Sequence, residues 1–355
     1  MSRNPLFIAA LALVGCLPPL SKQTKEGADS GAAVDEDDDG AGTGTGGDEG
    51  DDGSGTGSDD GSGTGGDDGS GTGGGTGSDG GGGDEGGGTG GSEIGPDYGQ
   101  AGSLSVTTST GSASIGGGCT LDYTTFTPTS GALGVRVVMA HGFLRSPANM
   151  ADWGSLLASW GFEVVTPALC HSSILDTDHV QNGADMVSLN ASLGGGDVIY
   201  MGQSAGGLSA FLAGADDAQA LGVVGLDATD DLFAAGAAAA SSLSVPVFGI
   251  VGEPSTCNSS GNFVAAFQAA ADSSIIRVVE SEHCDFESPT DVLCTGFCAV
   301  ANPTFSDAEL RHAIGGLMTA AAISLAGDPA AEADWWVTGG VHRDELDAAG
   351  LVQEL

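Results

Sequence analysis

The stretch Val198-Ile199-Tyr200-Met201-Gly202-Gln203-Ser204-Ala205-Gly206-Gly207 constrains this chain more than any other. Apolar, strand-like residues stop abruptly at Gly-x-Ser-x-Gly, and a run of small, helix-compatible residues from Leu208 to Ala215 follows at once. That is the strand–turn–helix setting in which a serine hydroxyl is presented as a nucleophile. Gly202 and Gly206 fit a turn so tight that a side chain at either position would collide with the neighbouring strand or helix. The following helix points its N-terminus at Ser204, which favours developing negative charge there.

A serine hydroxyl is a poor nucleophile unless a base takes its proton and an anion holds the base in the right tautomer. The base predicted here is His283, in the loop Glu280-Ser281-Glu282-His283-Cys284-Asp285 that follows the strand-like run Ile275–Val279. The acid has two candidates. Asp227 ends the strand-like Leu221–Leu226, and Glu253 follows the strand-like Val245–Val251. Asp230, Asp231 and Asp285 are weaker candidates. The oxyanion needs backbone N–H donors already aimed at it. Ala205, next after the nucleophile, supplies one, and the turn His141-Gly142-Phe143 supplies the other from Phe143.

The remaining pattern alternates strand and helix. Val135–Ala140 and Phe162–Pro167 are short, nearly continuous apolar runs of the kind buried in parallel sheets. Between them, Trp153, Leu156, Leu157 and Trp160 recur at helical spacing. Ser103–Thr110 and Thr120–Thr127 read as edge strands, and Thr177–Leu193 and Ser260–Ala271 as helices. Ser306-Asp307-Ala308-Glu309 carries a capping pattern at the start of a long helix to Leu325. The expected fold class is α/β: residues 101–355 as a single domain with a mostly parallel sheet covered by helices on both faces.

The N-terminus reads differently. A short basic start and an apolar run from Leu6 to Val14 predict a signal peptide over residues 1–15, too short to span a bilayer as a helix of about 20 residues. Leu13-Val14-Gly15-Cys16 resembles a bacterial lipobox. That resemblance implies that Cys16 carries lipid, and Leu17 after it implies the outer membrane of the cell envelope. An ordinary secretory peptide is the other reading. Residues 16–100 are dominated by Gly, Asp, Ser, Thr and Glu and offer almost nothing to bury, so a flexible acidic spacer is expected.

The chain has 48 acidic and 8 basic residues, a formal charge of −40, and no lysine after Gln100. A surface of this sign is a poor match for nucleic acid or anionic lipid. Apart from Cys16, six cysteines remain: Cys119, Cys170, Cys257, Cys284, Cys294 and Cys298. In an exported domain they suggest disulfides, in a pairing that sequence does not choose. A zinc site from Cys284, Cys294, Cys298 and His283 is the rival. No metal or cofactor is required by the expected chemistry.

Val137-Val138-Met139-Ala140-His141-Gly142-Phe143, Leu156-Leu157-Ala158-Ser159-Trp160-Gly161-Phe162-Glu163-Val164-Val165-Thr166-Pro167 and Gly202-Gln203-Ser204-Ala205-Gly206-Gly207 together resemble the α/β-hydrolase superfamily. They look closest to its branch of cutinase-like polyester hydrolases, chlorophyllases and platelet-activating-factor acetylhydrolases. The resemblance spans roughly residues 103–328. In chlorophyllases and the acetylhydrolases the acid follows the strand right after the serine, which implies Asp227, since 227 − 204 = 23. Cutinase-like members take it one strand later, which implies Glu253, as Glu in place of Asp. Gln203 departs from the His common before the serine. The resemblance implies hydrolysis of a small or polymeric carboxylic ester through Ser204, His283 and Asp227. The alternatives are an amidase, peptidase or acyltransferase on the same site, or a lipoprotein that keeps the fold and only binds a partner.

Overall fold

The computed structural model of the chain describes residues 95–116, 118–298 and 303–355. The expected signal peptide, Cys16 and the spacer as far as residue 94 lie outside the described residues.

An antiparallel pair opens the fold: β1 (Val106–Gly116) and β2 (Cys119–Pro128). β3 (Arg136–Ala140), α1 (Ala151–Ser159) and β4 (Glu163–Pro167) follow. A small ribbon of β5 (Ser172–Ser173) and β6 (Asp176–Thr177) leads into α2 (His179–Ser192). Then come β7 (Val198–Gln203), α3 (Ala205–Asp216), β8 (Ala220–Leu226) and α4 (Ala235–Ala239). β9 (Val247–Val251), α5 (Val264–Ala269) and β10 (Ser273–Val278) continue the alternation. The chain closes with α6 (Val292–Cys298), α7 (Asp307–Leu325), α8 (Pro329–Trp335), α9 (Val341–Ala349) and β11 (Val352–Glu354).

Nine strands among the described residues form one sheet, in the order β1-β2-β4-β3-β7-β8-β9-β10-β11. The expectation of a mostly parallel sheet is corrected: the sheet is mixed. Its centre, from β4 to β10, is parallel. The pairings β1–β2 and β2–β4 on one side, and β10–β11 on the other, are antiparallel. For β1–β2 the cause is the length of the connection. Only residues 117–118 join β1 to β2, and so short a link permits only antiparallel pairing, whereas a parallel neighbour needs a crossover such as a helix.

Alternation along the central strands divides the core. Val137, Met139, Ile199, Met201, Val224 and Leu226 face one layer, with α1, α7 and α8 packed on them. Val138, Ala140, Val198, Tyr200 and Val223 face the other, covered by α2, α3 and α5. The predicted capping box opens α7: Ser306 accepts the Glu309 N–H through its side chain, and Glu309 accepts the Ser306 N–H at 2.8 Å.

Residues 95–100, which the sequence pattern assigns to the end of the spacer, pack against the domain. Tyr98 is buried, stacks edge-on against Trp160 at 4.8 Å, and sits near Trp335. The Trp335 indole donates to the Pro96 carbonyl at 3.2 Å, and the Trp336 indole to the Leu317 carbonyl at 3.0 Å. Trp335 thus joins the C-terminal helices to residues 95–100, while Trp336 ties the end of α8 to α7.

Candidate active site

The parallel strands bring their C-terminal ends to one edge of the sheet, and the predicted residues follow those ends. The β3 end leads into His141-Gly142-Phe143, β7 into Ser204, β8 into Asp227 and β10 into the turn that carries His283. The sequence separates these residues widely, and the parallel register returns them to one place.

Ser204 sits between β7 and α3 with φ 56° and ψ −127°, a strained backbone for a side-chain-bearing residue. Its N–H donates to the Leu226 carbonyl at 3.1 Å, and its carbonyl accepts from Gly207 and Thr229 at 2.9 and 3.1 Å. The strained turn is therefore held from both sides. A Cβ added to Gly202 would run into the Gly206 carbonyl, and one added to Gly206 would run into the His141 carbonyl. Only hydrogen at these two positions lets strand, turn and helix meet.

His283 and Asp227 are both buried, and His283 Nδ1 lies 2.6 Å from Asp227 Oδ2. The Asp227 carboxylate also accepts the Gly252 N–H at 2.9 Å and the Asn258 side-chain amide at 3.2 Å to each oxygen. The carboxylate is thereby placed to accept a hydrogen bond from His283 Nδ1 in the tautomer that protonates Nδ1. Asp227 itself has φ 43°, so the acid, like the serine, sits on a constrained turn.

Glu253 is placed elsewhere. Its Oε1 accepts the Glu280 N–H at 3.2 Å, and it forms no hydrogen bond or ion pair with His283. The weaker acidic candidates also have other work. Asp230 and Asp231 accept backbone N–H groups around the start of α4, and Asp285 accepts the Glu282 N–H at 2.7 Å.

Ser204 and His283 are not hydrogen-bonded to each other. His283 Nε2 faces the side-chain amide of Gln203 at 3.3 Å, and the same amide nitrogen donates to the His283 carbonyl at 3.3 Å. The Gln203 Oε1 is buried without a hydrogen-bond partner among the described residues.

The turn after β3 lies against the serine: a Cβ on Gly142 would approach Ser204 Cβ to 3.1 Å. Within it, Leu144 N–H donates to the Ser172 carbonyl at 3.0 Å and Arg145 N–H to the Gly142 carbonyl at 3.1 Å. The Phe143 N–H has no acceptor among the described residues, and the Ala205 N–H is the first of the orphan donors at the start of α3. His141 props this turn. Its Nδ1 meets the Gly142 carbonyl at 2.8 Å, and its Nε2 accepts the Leu169 N–H at 3.3 Å. Burial lowers its pKa to about 4, so His141 is neutral, and the nearby Arg145 charge acts in the same direction. His179 faces the Phe143 ring at 6.4 Å, and burial lowers its pKa as well.

All six described cysteines are paired at bonding distance: Cys119 with Cys170, Cys257 with Cys298 and Cys284 with Cys294. The sulfurs of Cys284, Cys294 and Cys298 do cluster, but each belongs to a disulfide, so they offer no thiolates for zinc. The bridges bear on the site instead. Cys284 adjoins His283, and Cys257 adjoins Asn258. Both bridges end on α6, through Cys294 and Cys298.

Asn258, Arg145 and Glu287 are the site's neighbours that sequence reasoning missed. Arg145 pairs with Glu287 across the site, between the β3 turn and the His283 turn.

No protein-family model matches the sequence, and no curated protein matches it.

Proposed function

We propose that the chain is a serine hydrolase of α/β-hydrolase type that cleaves carboxylic esters. The observation that carries this reading is the buried His283–Asp227 pair, at 2.6 Å, on the sheet edge where the strained Ser204 opens α3. In this reading Ser204 attacks the ester carbonyl and His283 Nε2 takes its proton, having exchanged the Gln203 amide for the serine hydroxyl. Asp227 keeps Nδ1 protonated and stabilises the imidazolium. The Phe143 and Ala205 N–H groups bind the oxyanion, a contribution of about 2.7–4 kcal/mol per donor in comparable sites. His283 then protonates the leaving alcohol, and water repeats the cycle on the acyl-enzyme.

Exposed Leu144, Leu175, Val180, Leu232 and Phe233 all lie in segments that follow β3, β4 and β8 towards this edge. They favour an ester with an apolar acyl or alcohol group. The N-terminal residues Leu13-Val14-Gly15-Cys16 support lipid attachment at Cys16, and Leu17 after it supports a place at the outer membrane of a bacterial envelope.

A second reading, a lipoprotein that binds a partner without turnover, is favoured by one observation: His283 Nε2 faces Gln203 rather than Ser204. Hydrolysis of p-nitrophenyl acetate, butyrate and octanoate separates the two. Turnover lost in Ser204→Ala and in His283→Ala supports the hydrolase. Equal background rates in all three proteins, with Ser204 inert to a fluorophosphonate, support the binding protein. For the anchor, Cys16→Ser should move the chain out of the detergent-extracted membrane fraction.

A further inference from the structure

Arg145 lies at the end of the turn that follows β3, and Glu287 ends the short helical turn that begins with His283. Their side chains form a two-pronged ion pair, Nε to Oε1 at 2.6 Å and Nη2 to Oε2 at 2.5 Å, between residues 142 apart in sequence. Glu287 is 1% exposed, and the same guanidinium reaches Asp291 at 3.1 Å. Each partner also closes its own turn. The Arg145 N–H donates to the Gly142 carbonyl at 3.1 Å, and the Glu287 N–H to the Cys284 carbonyl at 3.2 Å. Phe143 lies inside the first turn and His283 at the start of the second.

A buried ion pair adds little net stability, because desolvation offsets most of the attraction. What a forked guanidinium–carboxylate contact does supply is fixed geometry. The segments just after the two turns already have an independent tie, from the Ser288 N–H to the Asn149 carbonyl at 2.8 Å. The ion pair is thus not the sole means of holding the loops together. Its direction matters as well. The guanidinium belongs to the turn where the oxyanion would form, and the carboxylate to the turn whose imidazole would become positive. That order of charges complements the charge separation of the reaction.

We infer that Arg145 and Glu287 are positioning residues, whose part-buried pair holds the Phe143 N–H and the His283 imidazole at one separation for reaction at Ser204. This rests on the hydrolase function proposed above. The charged groups that face Glu287 are Arg145 from the β3 turn and His283 and Asp291 from its own segment. Burial raises the Glu287 pKa, while Arg145 and His283 draw it back down.

The test uses the full chain and the variants Glu287→Gln, Arg145→Lys, Arg145→Gln and the double Arg145→Gln/Glu287→Gln. Turnover of p-nitrophenyl butyrate is measured per Ser204 titrated with a fluorophosphonate, across pH, beside thermal unfolding. In Glu287→Gln and Arg145→Gln, kcat falls by about 10- to 100-fold with little change in KM. Arg145→Lys, which keeps the charge, recovers part of that loss, and the double variant is no worse than the singles. The acid limb of the kcat/KM profile moves to lower pH in Glu287→Gln, because a negative charge near the proposed base is replaced by a neutral amide. Melting temperatures that fall while kcat per titrated serine and the acid limb stay unchanged would overturn the positioning role. Absence of Ser204-dependent turnover in the unsubstituted chain would overturn the hydrolase function itself, and this role with it. Glu287→Gln is nearly isosteric and remains informative if Arg145→Gln does not fold.

Discussion

His283 Nδ1 approaches Asp227 Oδ2 to 2.6 Å, although 56 residues separate them, while Glu253 turns its carboxylate to the Glu280 N–H. The two acids that the sequence leaves in competition therefore stand in different relations to the base. Asp227→Asn keeps the shape but offers His283 an amide, which can hold the wrong tautomer. In an active hydrolase kcat should fall by about 10³- to 10⁴-fold. Glu253→Gln should leave kcat within about twofold. Steady-state kinetics on p-nitrophenyl butyrate decides, and a reversed order of the two losses would move the acid to Glu253.

Asn258 donates to both oxygens of Asp227 and to the Glu253 carbonyl, and it adjoins a disulfide that fastens its loop to α6. Breaking that bridge loosens the group that aims the acid. Cys257→Ser/Cys298→Ser should lower kcat by roughly 10-fold or more, through misorientation rather than unfolding. Cys119→Ser/Cys170→Ser, which frees β2 from the segment after β4, should mainly lower the melting temperature. Equal kcat losses in the two double variants would contradict a special role for the Cys257 bridge.

His141 predicts a pH dependence of stability. Its pKa falls from 6.5 to about 4 on folding, chiefly through burial. Between those values the unfolded chain takes up a proton that the folded chain refuses, so the contribution is complete above pH 6.5 and is lost as the pH falls towards 4. The full effect is roughly 3 kcal/mol. Asp285 and Glu287, whose pKa values burial raises, act in the opposite direction. The informative quantity is therefore a difference: urea unfolding at pH 7 and pH 4.5 should show a smaller loss in His141→Gln than in the unsubstituted chain. Parallel losses would mean that His141 does not carry this proton linkage.

The alternation of strand and helix, the tight turn at Ser204 and the loops bearing Asp227 and His283 were legible because each depends on local pattern: apolar runs, glycines and strand ends. The antiparallel margins were less legible. β11 is three residues long and becomes a strand only because β10 offers it an edge. The short helices α4, α6 and α8 have five to seven residues and little periodicity to read. Cysteine pairing, the Asn258 contacts and the Arg145–Glu287 pair were invisible for a simpler reason. They are long-range relationships between loops, and nothing in the local sequence of either partner encodes the other.

Gln203 offers the sharpest remaining test, because its amide touches the one nitrogen that a general base must keep open. An amide N–H facing His283 Nε2 at 3.3 Å leaves that nitrogen as an acceptor, which is what the proposed base would need. A carboxylate in the same buried place would invert the relation. It would accept from Nε2, favour the doubly protonated ring and remove the base at neutral pH. Gln203→Glu should therefore lose about 100-fold or more of its kcat/KM at pH 7, with the acid limb of the profile moved to higher pH. Gln203→Met removes the donor and the buried unpartnered Oε1 without adding charge, and should stay within about 10-fold of the unsubstituted chain. The pH–rate profiles of the two variants are the measurement. If both variants lose activity equally with no movement of the acid limb, Gln203 acts through packing and not through the protonation of His283.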